Sequence, residues 1–475
     1  MSRIVLSRLV DGLVLRRALM LAAIFVWLAG HASTLPAQTS FYDAPRSLLA
    51  GEPGTLVRQE PIDGAPLGAA AYRVLYRSTG LKGEPIFVSG VVVVPRGEPP
   101  VDGRPIIAWA HPTSGITPRC APSLAIFVFQ QIQGLRSFVE RGYVVAATDY
   151  PGLGTGEPHP YLVGESEARA VIDAVRVART MPGAGGGKRF TVWGHSQGGQ
   201  AALFTGMIAK TYAPELTLLG VAAAAPATDL VTLMNDDINS AGGKNITAMT
   251  LWSWHRVYDV PIDGIVDPRA MPAVDRLAYE CIEGPFDLIA RQRTERPLEK
   301  HFLTVEQPAN VEPWHALLER NTAGVLPPDI PVFLAQGTND QIVRPEVTQN
   351  YMSKLCKAGS QVKMVILLYV GHGRAAQEST IAAADWMTDR FAGEDPPDMR
   401  QVARAHPSRG APEVRRSCSK PLACAFLRSS SRRNRISAPF QFNRNGKDFK
   451  RHRSDSPRYA LSIGGAVGAR TSNAG

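Results

Sequence analysis

A serine hydroxyl attacks a carbonyl only with a base beside it, and the base needs an acid to orient it. Gly194-His195-Ser196-Gln197-Gly198 matches the G-x-S-x-G pattern of a sharp strand-to-helix turn that exposes a serine. The apolar run 190–193 reads as a strand ending at Gly194, and the residues from Gln197 onward read as a helix. Ser196 then occupies the turn between them. Such a turn is tight and strained, so its neighbours must lack bulk, as Gly194, Gly198 and Gly199 do. The helix N-terminus that follows favours negative charge developing near the serine.

Base and acid follow in chain order. Beyond position 340 the histidines are His372, His406 and His452, and the last two belong to a basic terminal stretch. His372 follows an apolar run, 362–369, inside Gly371-His372-Gly373, where a loop can present an imidazole. The preceding run, 331–335, leads into Gly337-Thr338-Asn339-Asp340, so Asp340 is the expected acid, holding the imidazole in one tautomer. Asp329 lies at the wrong end of that strand. An oxyanion hole needs two backbone N–H groups. Gln197 supplies one; the other is expected from His111-Pro112-Thr113-Ser114-Gly115, and since Pro112 has no N–H, Thr113 is the candidate. This chemistry calls for no cofactor and no metal.

These residues need a frame, and the chain has the pattern of one. Short apolar runs at 105–110, 143–148, 190–193, 216–225, 331–335 and 362–369 read as strands buried on both faces. Helical periodicity fills 122–140, 165–180, 197–213, 345–358 and 375–391 between and after them. The alternation predicts an α/β architecture, a mostly parallel central sheet flanked by helices. Ahead of it, 71–79 and 86–95 predict a hairpin, and 41–63 reads as a polar lead-in. About a hundred residues, 229–328, lack a buried-strand run and are too long for a loop, which predicts a helical cap. Its aromatics, Trp252, Trp254, His255, Tyr258 and Trp314, can line an acyl pocket or pack the cap onto the body; packing is the expectation.

Three further stretches are Ala108-Trp109-Ala110-His111-Pro112-Thr113-Ser114-Gly115, Cys120-Ala121-Pro122-Ser123 and Thr148-Asp149-Tyr150-Pro151-Gly152-Leu153-Gly154. With them, the chain from about 41 to 392 resembles the bacterial branch of the secretory lipase family, best known from fungal lipase A-type enzymes. The resemblance implies the α/β-hydrolase fold, a helical cap, a Ser196–Asp340–His372 triad and hydrolysis of acyl esters, extending to triacylglycerols. Pro112 stands where many relatives carry glycine.

Charge distribution bounds the partners. The formal net charge is +10, but from Arg400 onward 17 Lys/Arg face three acids, a net of +14, which leaves −4 for the rest. The enzyme body is mildly acidic, and nothing in it suggests nucleic acid. The expected partner is a small-molecule or lipid ester, with transient contact at lipid interfaces and no partner protein. Arg3, Arg8, Arg16 and Arg17 precede an apolar run, 18–30, and small residues around Ala32 and Ala37. That order predicts a signal peptide over 1–37 and a secreted or periplasmic enzyme. The hydrolase domain then spans 38–393, and 394–475 reads as a basic tail too polar to order itself. In an oxidising compartment a Cys120–Cys281 disulfide is expected, leaving Cys356 over, although spacing alone does not set the connectivity. Two alternatives remain open at this level: a serine peptidase or amidase, because a triad does not distinguish ester from amide, and a non-catalytic binding protein.

Overall fold

The computed structural model describes residues 41–395, apart from 157, and the backbone of 414–418. The described strands are β1 (Leu56–Pro61), β2 (Ala69–Thr79), β3 (Pro85–Pro95), β4 (Arg104–Ala110), β5 (Val144–Thr148), β6 (Gly186–His195), β7 (Thr217–Ala224), β8 (Val332–Gly337), β9 (Val362–Leu367) and β10 (Val414–Cys418). They form one sheet in the order β1-β2-β3-β5-β4-β6-β7-β8-β9-β10. The stretch from β5 to β9 in that order is parallel. The flanking pairs, including the β2–β3 hairpin, are antiparallel.

The described α-helices are α1 (Val128–Gln131), α2 (Leu135–Glu140), α3 (Gly164–Thr180), α4 (Gln197–Tyr212), α5 (Leu230–Asp237), α6 (Ala241–Val257), α7 (Met271–Tyr279), α8 (Pro285–Glu295), α9 (Trp314–Arg320), α10 (Pro345–Lys357) and α11 (Ala375–Ala392). Successive strand residues point to opposite faces. In β4, Ile106, Ala108 and Ala110 join one buried layer with α3, α4 and α10, while Ile107 and Trp109 join the opposite layer with α2 and α11. Both faces are covered, so no polar alternation is needed and the strands read as unbroken apolar runs. Each large apolar side chain buried this way contributes about 1.5–3 kcal/mol.

The segment between β7 and β8 folds as α5 to α9 around its own core. Trp254 and Trp314 stack at 6.4 Å, with an angle of 2° between their planes. The Trp254 indole N–H donates to the Tyr161 carbonyl of the body (2.7 Å). These tryptophans therefore pack the cap and dock it. A disulfide, Cys120–Cys281, ties the cap to the loop after β4.

Four expectations need correction. The helix expected over 122–140 is instead a 3₁₀ turn, Pro122–Leu124, followed by α1 and α2. Gly134, in the left-handed region at φ 90°, separates the two helices. The lead-in contains β1, an edge strand whose half-exposed residues carry no strong period. The tail, expected to lack structure, contributes β10 against β9. Cys356, expected to be left over, is disulfide-bonded as well. The expected leader, 1–37, and the remainder of the tail lie outside the described residues.

Candidate active site

Strand order reverses at β4. The chain leaves β4 towards β5 on one side, and leaves β6 towards β7 on the other, which opens a crevice at the strands' carboxyl ends. Ser196 follows β6 there, at φ 57° and ψ −119°, and α4 begins at the next residue. A Cβ on Gly194 would lie 2.0 Å from the Gly198 carbonyl oxygen, and one on Gly198 would lie 2.0 Å from that of Ala110. Glycine at both positions lets the turn close and lets the N-terminus of α4 press against the end of β4.

Asp340 sits on the loop after β8, buried. Its carboxylate accepts hydrogen bonds from the Ile342 and Val343 amides (3.0 and 2.9 Å), from Gln336 Nε2 (3.1 Å) and from His372 Nδ1 (2.9 Å). Burial alone would raise its pKa, but the His372 contact and these donors outweigh it and hold the group below its ordinary value. His372 follows β9 at the start of a 3₁₀ turn. Its Nε2 lies 2.8 Å from Ser196 Oγ. With Nδ1–H directed at Asp340, Nε2 carries the lone pair that faces the hydroxyl. The fold thus brings together three residues that are far apart in the chain.

Thr113 stands on the loop after β4, its hydroxyl 2.9 Å from that of Tyr161. Gln197 opens α4, with its side chain buried. Its amide Nε2 donates to Glu167 Oε1 (2.8 Å) and to His159 Nε2 (2.9 Å). Burial lowers His159 to about 3 and lifts Glu167 to about 8, so both are largely uncharged at neutral pH.

Beside Ser196 and Gln197 is a small pocket of about 40 Å³, lined by Leu230, Leu233, Met234, Ile246 and Leu318 of the cap and by Ile342 of the Asp340 loop. Its walls suit a hydrocarbon chain better than a charged group. Among the described residues no group of three or more His, Cys, Asp or Glu could hold a metal ion.

Several contributors escaped the sequence reading. His195 Nε2 donates to the His372 carbonyl (3.0 Å), tying the imidazole's loop to the serine turn. Burial, reinforced by the neighbouring His372, keeps His195 neutral, at about 3. Gln336 bridges Asp340 to the Val343 carbonyl. Glu167 resembles an ordinary acid in a helix's first turn; the signal available was its place among apolar neighbours in α3.

Known proteins resemble this chain in sequence and in fold. The chain is 24% identical over 384 residues to the secreted triacylglycerol lipase LIP7 of Malassezia globosa, covering 75% of this chain and 80% of that protein. It is 25% identical over 395 residues to lipase A of Arthroderma benhamiae, covering 77% and 82%. The crystal structure of Candida antarctica lipase A superposes with a TM-score of 0.63 over 76% of this chain and 86% of that one, at 15% identity, a likeness of fold. The Secretory lipase family matches residues 124–398. With that match spanning more than half of its length, the chain belongs to the secretory lipase family.

Proposed function

We propose that this protein is a secreted serine ester hydrolase, a lipase or carboxylesterase, in which Ser196, His372 and Asp340 form the catalytic triad. The observation that carries the reading is the unbroken relay from Ser196 Oγ to His372 Nε2 (2.8 Å) and from His372 Nδ1 to Asp340 Oδ2 (2.9 Å).

In the first step His372 takes the serine proton as Oγ attacks the ester carbonyl. The oxyanion is met by the Gln197 and Thr113 N–H groups, and removing one such donor costs about 10²–10³ in kcat in enzymes where it has been tested. The imidazolium, stabilised by Asp340, returns its proton to the departing alcohol. Water then attacks the acyl-enzyme with the same base. The apolar side chains beside Ser196, Leu230, Leu233 and Leu318 among them, receive the acyl chain, and the cap must part to widen the pocket of about 40 Å³ between them. The names of the relatives, triacylglycerol lipase and lipase A, point to the same bond, and the family's secretory character supports action outside the cytoplasm.

The test is hydrolysis of p-nitrophenyl esters from acetate to palmitate by the full chain and by Ser196→Ala. Activity that disappears in the variant supports the reading, and its chain-length optimum separates carboxylesterase from lipase. A folded parent protein inert on every ester sinks it.

A further inference from the structure

Behind the two proposed oxyanion donors, three buried rings are packed in series. Tyr150 lies between His111 (ring centroids 4.3 Å apart) and His159 (5.9 Å, planes within 7°). Tyr150 holds a left-handed φ of 69°. An aromatic residue keeps such a backbone only when its surroundings over-determine it. Its hydroxyl donates to the His111 carbonyl (3.1 Å), so the stack is bonded as well as packed.

Each histidine reaches one donor indirectly, His111 through the carbonyl of the donor's own peptide and His159 through the donor residue's side chain. His111 Nδ1 lies 2.7 Å from the Pro112 carbonyl oxygen and Nε2 lies 3.2 Å from that of Asp149. A neutral ring has one N–H, and the shorter contact takes it. The Pro112 carbonyl and the Thr113 N–H belong to one planar trans peptide, so they point in opposite directions. The proline ring fixes its own φ but leaves ψ, which turns this plane, free. The imidazole fixes it, aiming the Thr113 N–H away from His111. On the other side His159 Nδ1 donates to the Pro151 carbonyl (2.7 Å), which leaves Nε2 to accept from the side-chain amide of Gln197, anchoring the residue whose backbone N–H is the second donor. Glu167 takes that amide's second proton.

Building on the reading of Thr113 and Gln197 as oxyanion donors, we propose that His111, Tyr150 and His159 are positioning residues whose stack sets the spacing and aim of the two donor N–H groups. None of the three needs to touch the substrate.

The test uses the full chain with His111→Leu, His111→Asn, His159→Leu, His159→Gln and Tyr150→Phe. Kinetics on p-nitrophenyl butyrate are paired with the affinity of an alkylboronic acid, which forms a tetrahedral anion on the serine. Each leucine variant is expected to lower kcat by about 10–100-fold with KM within twofold, and to weaken boronate binding by the same factor. Asparagine restores an N–H where Nδ1 stood, and glutamine restores an acceptor where Nε2 stood; both should recover to within about threefold of the parent. Folded leucine variants with unchanged kcat, or ones that lose kcat without losing boronate affinity, overturn the proposal. So does failure of the asparagine and glutamine variants to recover. If the leucine variants do not fold, Tyr150→Phe decides: kcat and boronate affinity falling together at constant KM supports the stack, and no change in either refutes it. A parent with no Ser196-dependent esterase activity removes the underlying reading itself, an outcome distinct from active variants that ignore the stack.

Discussion

Glu167 makes stability depend on pH in a direction opposite to that of an ion-paired carboxylate. It is fully buried, and burial lifts its pKa from 4.5 to about 8 against the opposing hydrogen bonds from Gln197 and the Leu162 amide. The unfolded chain loses this proton near pH 4.5; the folded chain keeps it until about pH 8. Between those values the folded state binds more protons, so stability falls as pH rises through the window and levels off above it. A shift of about 3.5 units, at 1.36 kcal/mol each, corresponds to about 5 kcal/mol. Glu167→Gln removes the titration and keeps an oxygen for Gln197 and Leu162. Its amide nitrogen inherits the place of Oε2, which has no hydrogen-bond partner in the parent. The variant should match the parent near pH 5 and exceed it by a few kcal/mol at pH 9, on the order of 5 °C in Tm for a body of this size. Scanning calorimetry of both proteins at pH 5, 7 and 9 measures the difference. A gap that stays constant with pH, or widens towards acid, refutes the reasoning.

Three more outcomes follow from the same geometry. Asp340→Asn turns an amide N–H towards His372 Nδ1, which favours the tautomer protonated on Nε2 and unable to accept the serine proton; kcat should fall by about 10⁴, the loss seen when a triad aspartate elsewhere is replaced by asparagine, and a loss below a hundredfold would contradict the role. Replacing both Cys120 and Cys281 by serine removes a cross-link between residues 161 apart and should cost about 2–5 kcal/mol, read as a lower Tm; an unchanged Tm would show that the bond contributes nothing. Leu233→Phe narrows the cavity beside Ser196 and should lower kcat/KM for a decanoate ester by at least about tenfold while sparing acetate. A uniform loss across chain lengths would remove the cavity from the account.

The parts of this molecule that were legible in sequence are those where one physical demand dominates. Strands β4 to β9 are buried on both faces and so read as apolar runs, and the glycines around Ser196 follow from a turn with no room for a Cβ. Asp340 and His372 were legible because chain order and strand position leave few candidates. Edge strands β1 and β10 were not, since each is paired on one side only and needs no apolar run. The 122–140 segment kept a helical period while Gly134, in a left-handed conformation, interrupted it. The shell behind Ser196 was the least legible. His159 and Glu167 bond Gln197, 38 and 30 residues away, and a contact of that kind leaves no period and no spacing to read; His111 bonds its neighbour Pro112, in a loop with no period of its own.

The backbone at Ser196 has a consequence for the thermodynamics of the whole fold. A φ of 57° places a residue bearing a Cβ where glycine is at ease, at a cost on the order of 1–3 kcal/mol. The rest of the molecule must therefore hold the proposed nucleophile in a state the chain would leave if free. Ser196→Gly should relieve that cost, less about 0.4–1 kcal/mol for the added freedom of the unfolded chain. Ser196→Ala, which keeps the Cβ, should not. A glycine variant melting above the alanine variant would mean that the nucleophile is kept at the expense of stability, so that the inactive protein is the sturdier one. Equal melting temperatures would mean that the strain only matches that added freedom, about 0.4–1 kcal/mol, and falls short of the cost expected of such a backbone.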